Sequence, residues 1–165
     1  MEKYLQLAKE LGMLHAKIIS PDDMVFDPRV FLKCRWGCEY YGNNSVKCQE
    51  RGTTLEERRH MVKSYSRILL LHSNNGRQLS RAAMEIERQA FLDGYHLSFV
   101  IRSCNLCKVC AVDEGKACVT PLKVRPCEGI FGIDVFRTAR HFDLPIYPLK
   151  DKEEIQNRYA FVCID

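Results

Sequence analysis

Apolar and polar residues recur along the chain with the periods of helices and strands. The clearest helical series is Leu79, Ala83, Ile86 and Ala90, which gives one apolar face to a helix that ends at Gly94. Short apolar runs between the helical stretches predict strands. The pattern as a whole predicts helices over residues 3–14, 54–66, 79–94 and 133–142, and strands over residues 15–19, 67–72, 95–101 and 159–164.

The strict alternation of helices and strands predicts the class of the fold. Elements in this order form a single sheet with helices packed on it. A chain of 165 residues also has the length of one domain. We therefore expect one domain over residues 1–165, with a sheet of about four strands flanked by helices. The class expected first is α/β, with α+β possible, because the sequence leaves open whether the strands are parallel.

The nine cysteines are the unusual feature of the composition. Residues Met1–Gln6 lack the continuous apolar stretch of a secretory signal, so we expect a cytoplasmic protein. No apolar run approaches the roughly 18–20 residues of a membrane span, so no membrane partner is expected. Structural disulfides are rare in a reducing cytoplasm, where clustered cysteines are better interpreted as metal ligands or redox groups.

Four cysteines that follow the predicted strand 95–101 form the stronger motif. Cys104, Cys107, Cys110 and Cys118 have the spacing C-x₂-C-x₂-C-x₇-C. Thiolates at this spacing can bind different corners of one [4Fe–4S] cubane, as in the loops of bacterial ferredoxins. A four-cysteine zinc site usually pairs two C-x₂-C knuckles across a longer interval, so zinc fits less well. An iron–sulfur cluster is the leading interpretation, and zinc or unligated, redox-active thiols are the alternatives.

A second group has only three closely spaced cysteines. Cys34, Cys38 and Cys48 have the spacing C-x₃-C-x₉-C, which is one ligand short of a closed metal site. The fourth ligand could be Cys127, with Cys163 behind it, or one coordination position could stay open as in catalytic metal sites. Cys163 lies in an apolar strand-like run, where a free cysteine usually behaves as a small core residue.

Eight of the nine cysteines lie in two segments, 34–48 and 104–127, that show no helical or strand period. Bonds to a metal supply the ordering free energy that apolar burial supplies elsewhere, so both segments are predicted to be metal-binding loops. Trp36 lies between two presumed ligands, where it would shield the metal from water or anchor the core. Arg51, Arg58 and Arg59 are interpreted as a solvated helix face and not as an anion site.

The formal net charge of +4 does not predict a nucleic-acid partner. A [4Fe–4S]²⁺ core held by four thiolates carries a charge of about −2, so two such clusters would cancel the excess. The chain also lacks the glycine-rich motifs that cradle the phosphates of dinucleotides and nucleoside triphosphates. Metal binding is therefore the chemistry that the sequence predicts.

Motifs along nearly the whole chain carry a family resemblance. The stretches concerned are Val25–Val30, Lys33–Cys38, Tyr41-Gly42 with Cys48, Glu87–Tyr95, Cys104–Cys118, Arg125-Pro126 and Gly132–Val135. In these stretches the sequence resembles a family of predicted metal-binding proteins found largely in anaerobic bacteria and archaea. The resemblance implies that both cysteine groups bind metal, with iron–sulfur as the expected form. It implies no particular reaction.

The chain departs from the pattern of that family at two places. The resemblance implies two prolines after Cys48, where this chain has Gln49 and Glu50. It also implies Ser after Arg125-Pro126, where this chain has Cys127. That cysteine could convert an open three-thiol site into a closed four-cysteine site, and a position for substrate would then be lost.

Three functions are compatible with these observations. The leading expectation is a protein with one or two iron–sulfur clusters that acts as a small electron-transfer or accessory subunit, with a redox protein as its partner. The absence of a recognisable acid–base pair favours this over an enzyme. The alternative is a metalloenzyme whose open iron at Cys34, Cys38 and Cys48 acts as a Lewis acid on a small substrate. The third is a protein-interaction module whose fold is stabilised by a structural zinc ion.

Overall fold

A computed structural model describes residues 1–41, 45–48 and 50–165 of the chain. Gly42 and Gln49, which belong to the sequence motifs above, lie outside these residues. In the described part, four strands form one sheet. They are β1 (His15–Ile19), β2 (Ile68–Ser73), β3 (Phe99–Ile101) and β4 (Arg158–Cys163), in the spatial order β1-β2-β4-β3.

Every neighbouring pair of strands in this sheet is antiparallel. The predicted sheet of four strands flanked by helices is therefore confirmed, and its class is α+β. Strand β3 is shorter than predicted, because residues 95–98 form a turn. In that turn the Ser98 N–H donates to the Tyr95 carbonyl at 2.9 Å.

Five α-helices flank the sheet in the described residues, and four of them correspond to predicted helices. The predicted capping box is present at Thr54, whose backbone N–H donates to the Glu57 carboxylate at 2.7 Å. No helix of the described residues is long and apolar enough to cross a membrane. The helices are α1 (Glu2–Glu10), α2 (Pro28–Gly37), α3 (Leu55–Lys63), α4 (Gly76–Leu92) and α5 (Val135–His141), with short 3₁₀ helices at Pro21–Asp23, Pro121–Lys123 and Glu128–Phe131.

Helix α2 begins before, and extends into, a segment that the sequence predicted to be a loop. Asp27 caps its first turn by accepting the Arg29 backbone N–H at 2.9 Å, and Pro28 occupies the first helical position. No residue of α2 is fully buried, and the half-buried Val30, Phe31 and Cys34 give it only a weak apolar face. The predicted loop over residues 34–48 is therefore wrong for Cys34–Gly37.

The sheet has an apolar core on each of its two faces. Successive residues of β2 point to opposite sides, so Leu69 and Leu71 face one core while Ile68 and Leu70 face the other. Helices α1 and α4 cover the first face. Helices α3 and α5 and the 3₁₀ helix Glu128–Phe131 cover the second, where Cys163 is buried as predicted. The candidate site lies at the edge of this second core.

Candidate metal centre

Cys34 and Cys127, far apart in the sequence, meet where α2 packs on the 3₁₀ helix Glu128–Phe131. Cys34 lies near the end of α2, and Cys127 is the residue just before the 3₁₀ helix. At the other end of α2, the Asp27 N–H donates to the Gly132 carbonyl at 2.8 Å and fixes the two elements together. The two thiols are hydrogen-bonded to each other. Packing of these two elements therefore creates a thiol pair that the sequence offered only as one option.

Gly129 provides the space in which these two thiols sit. A Cβ at this position would lie 3.1 Å from the Cys34 Sγ and 3.2 Å from the Cys34 Cβ. The same atom would lie 3.8 Å from the Cys127 Sγ. The missing side chain thus leaves a cradle beside both sulfurs that any other residue would fill.

Cys38 and Cys48 complete this set, which we call the 34–127 group (Cys34, Cys38, Cys48 and Cys127). All four thiols interact electrostatically. The hydrogen bond to Cys127, followed by burial, raises the pKa of Cys34. Burial, followed by the charge on Cys127, raises the pKa of Cys48. The hydrogen bond donated by Cys34 lowers the pKa of Cys127, so Cys127 ionises before Cys34 and Cys48.

A second set, the 104–118 group, lies in the loop that follows β3. Burial raises the pKa of Cys104, and the charges of the three other thiols raise it further, so the four share one environment. The Leu106 N–H donates to the Cys104 sulfur. Helix α4 anchors the loop through Arg81, whose Nη2 donates to the Leu106 carbonyl at 3.3 Å. The members of the group are Cys104, Cys107, Cys110 and Cys118.

Lys47 connects the two groups. Its Nζ donates to Asp113 Oδ1 at 2.5 Å and to the Tyr40 hydroxyl at 2.8 Å. It is also hydrogen-bonded to the thiol of Cys110. Because Lys47 directly precedes Cys48, the 34–127 and 104–118 groups lie side by side. The sequence did not predict this proximity.

Four arginines beside the two groups have buried N–H donors without an acceptor among the described residues. Two of them act through their charge on the 34–127 group: Arg35 on Cys48, and Arg58 on Cys48 and Cys127. Arg77 and Arg102 flank the second loop. Arg77 Nη2 donates to the Lys108 carbonyl at 3.5 Å, and Arg102 lies two residues before Cys104. Buried donors without acceptors are rare, and they fit an anionic metal–thiolate centre. The four donor atoms are Arg35 Nε, Arg58 Nη2, Arg77 Nε and Arg102 Nε.

The eight cysteines proposed from the sequence as ligands are thus gathered into two adjoining groups. Among residues 1–41, 45–48 and 50–165, however, no three Cys, His, Asp or Glu side chains form a ready-made set for a single metal ion. The assignment of Cys34, Cys38, Cys48, Cys127, Cys104, Cys107, Cys110 and Cys118 as metal ligands stays a prediction.

Two residues beside the 34–127 group differ from the sequence interpretation. Trp36 is 90% exposed, so it neither shields a metal nor anchors the core. Arg58 is only 4% exposed, so its assignment to a solvated helix face is wrong. The sequence did contain the signal, because Arg58 shares the apolar face of α3 with Leu55 and Val62 at helical spacing. Gly129 and Lys47 had no sequence signal, since their roles depend on contacts between distant segments.

The Asp27 carboxylate, which starts the helix that carries Cys34, gives the stability a predictable pH dependence. Hydrogen bonds from Arg29 lower the pKa of Asp27 from 3.8 to about 2. The ionised carboxylate therefore stabilises the fold fully above its ordinary pKa, and this stabilisation is lost as the pH falls through the folded value. We expect Asp27→Asn to lower the thermal unfolding temperature at neutral pH, and this deficit to shrink between about pH 4 and about pH 2. Circular dichroism melts of both proteins check this, and a deficit that stays constant over that range would contradict it.

Comparison with known proteins yields one match. A family model described as predicted metal-binding protein (DUF2284) matches residues 17–164. Searches of the curated proteins and of the solved structures found no match. The matched range contains all nine cysteines, so both groups fall within it.

Proposed function

Because the chain belongs to the family of predicted metal-binding proteins, we propose that each of its two cysteine groups binds an iron–sulfur cluster, with [4Fe–4S] as the expected form. The protein then acts as a small electron-transfer or accessory subunit for a redox protein partner. The observation that carries this proposal is the pairing of each cysteine group with buried arginine donors that have no acceptor among the described residues.

The arginines support an anionic centre at the 34–127 group. Four thiolates around a [4Fe–4S]²⁺ core carry a charge of about −2. A buried N–H donor without an acceptor is destabilising, and a nearby anion can remove that penalty. Arg35 and Arg58 lie where such a charge would act on them, beside Cys48 and Cys127. A zinc ion with four thiolates has the same charge, so the arginines support a metal–thiolate centre without selecting the metal.

The choice of iron–sulfur over zinc rests on the spacing in the 104–118 group. Cys104, Cys107 and Cys110 repeat at intervals of three residues, as in ferredoxin loops. Zinc sites of four cysteines are normally built from two separated knuckles. The Leu106 N–H that donates to the Cys104 sulfur also fits a cluster, because hydrogen bonds to the sulfurs help to set its potential.

Within this proposal the residues of the chain have distinct tasks. A bound cluster supplies one-electron transfer at a potential set by its surroundings. The eight cysteines hold the clusters, and Arg35 and Arg58 offset their charge. Lys47 fixes the two groups against each other through Asp113 and Cys110. Thiolate ligands of this kind suit a reducing, cytoplasmic location.

Anaerobic reconstitution with iron and sulfide tests the proposal. We expect about eight iron atoms and about eight sulfides per chain, and an electron paramagnetic resonance signal on reversible reduction. The matched control is Cys163→Ala, which removes a core cysteine outside both groups and should leave the iron content unchanged. Tight stoichiometric zinc without sulfide would overturn the iron–sulfur assignment in favour of a zinc-stapled module. A redox-silent iron site whose spectrum shifts with a small ligand would support a metalloenzyme instead.

A further inference from the structure

A cavity of about 280 Å³ lies beside the 34–127 group. Lys47 and Pro126, the residues that precede Cys48 and Cys127, form part of its wall. The lining of the cavity includes the apolar residues Met61, Phe99 and Phe131. Its volume is at the small end of the range for ligand sites, so it suits a compact molecule.

The lining of the cavity also carries positive charge, and Arg58 is the most buried of its arginines. The guanidinium is held in place because Nε donates to the Ile130 carbonyl at 2.8 Å and Nη1 donates to the Thr53 carbonyl at 2.8 Å. Ile130 and Thr53 also line the cavity. The remaining nitrogen, Nη2, is buried and has no hydrogen-bond partner among the described residues.

Glu50, which also lines the cavity, makes only a long ion pair with this arginine. Its carboxylate lies 3.8 Å from Arg58 Nη2, beyond hydrogen-bond distance. Both of its oxygens instead accept from Arg35 Nη2, at 2.8 and 2.9 Å. Arg51, an exposed residue that lines the same cavity, adds a further positive charge. The cavity therefore combines an apolar wall with a buried cation whose charge is not offset at hydrogen-bond distance.

We propose that this cavity binds a small organic acid, with its carboxylate toward Arg58 and Arg51 and its compact apolar body against Met61, Phe99 and Phe131. A carboxylate can satisfy a guanidinium N–H with a charge-assisted hydrogen bond. A neutral molecule can accept from Arg58 only without the assistance of a negative charge, and an inorganic anion would leave the apolar wall in contact with water. The inference stands on the cavity and does not depend on which metal the cysteines bind.

Isothermal titration of the metal-loaded protein under anaerobic conditions tests this site. The probes are benzoate and isovalerate, each compared with its neutral amide, and inorganic phosphate. We expect saturable binding of one acid per chain, about tenfold or more tighter than that of its amide. Arg58→Met should weaken acid binding by about tenfold or more, while Arg59→Met should leave it unchanged. Arg59 is the matched control, because its guanidinium lies over the Phe26 ring on another side of α3.

A second variant keeps the test decisive if Arg58→Met fails to fold, since Arg58 also holds Ile130 and Thr53. Val46 is half-buried in the cavity wall, and Val46→Trp should fill the space and abolish acid binding while Arg58 stays in place. The proposal is overturned if neither acid binds, if acids and amides bind equally, if phosphate binds more tightly than both acids, or if Val46→Trp binds acid as the wild type does. The iron and sulfide content is measured separately, so failure here is distinguishable from failure of the iron–sulfur proposal.

Discussion

Replacing Cys127 with serine is expected to remove about half of the iron and sulfide from the reconstituted protein, from about eight to about four of each per chain. The Cys127 thiol is hydrogen-bonded to Cys34 and accepts hydrogen bonds from the backbone N–H groups of Gly129 and Ile130. These contacts lower the pKa of Cys127 and favour the thiolate that metal binding requires. Serine is a poor substitute for a thiolate ligand, so a cluster held by the 34–127 group should be lost or converted.

The second group provides the internal reference for this experiment. The 104–118 group already has four cysteines, so its cluster should keep its spectrum in Cys127→Ser. Iron and sulfide analysis with electron paramagnetic resonance measures both effects in one sample. If Cys127→Ser retains the full iron content and an unchanged spectrum, the site is not closed by Cys127. The open three-thiol site at Cys34, Cys38 and Cys48 would then become the better description.

Replacing Gly129 with alanine is expected to disrupt the same group without removing any ligand. The new Cβ would lie 3.1 Å from the Cys34 Sγ, closer than ordinary van der Waals contact. To relieve this close contact, Cys34 would have to rotate its thiol away from Cys127, or α2 would have to move away from the 3₁₀ helix Glu128–Phe131. Either change separates the two sulfurs, so the iron bound by the 34–127 group should fall to well under half of the wild-type value.

Gly37→Ala is the matched control for this prediction. Gly37 is also a glycine of this region, at the end of α2, but a Cβ there meets nothing within 4 Å. Alanine favours helix over glycine, so the control should bind iron normally and unfold at the same or a higher temperature. Iron content and thermal unfolding are measured for both variants. Full iron loading of Gly129→Ala would show that the cradle is not needed for metal binding.

The strands and most helices could be predicted because their positions repeat with the period of the element. In α4, Leu79, Ala83, Ile86 and Ala90 are all fully buried, as their spacing predicts. The central strand β2 is buried along its whole length, and a short apolar run between polar segments marks it in the sequence. Because one face of each element is buried, its apolar residues repeat with the period of a helix or strand. That repeat identifies the element in the sequence.

The same reasoning explains what was missed. Helix α2 has no fully buried residue, so its apolar face is only weakly marked in the sequence, and its clearest signal is the cap at Asp27 and Pro28. Arg58 was misread because a charged residue is usually exposed, whereas its guanidinium here is held by the backbone carbonyls of Ile130 and Thr53. Those partners come from other segments of the chain, and a pattern along one helix does not contain them.

The candidate site, like the fold, could be predicted only where it depends on residues that are close together in the sequence. The sequence by itself predicted the 104–118 group, because its four cysteines lie within one loop and their spacing limits how they can meet. Only the tertiary structure decided that Cys127 joins Cys34, that Gly129 leaves room for both, and that Lys47 brings the two groups side by side. Those contacts depend on the packing of α2 against the segment around Glu128–Phe131, and packing between distant segments leaves no period or spacing in the sequence.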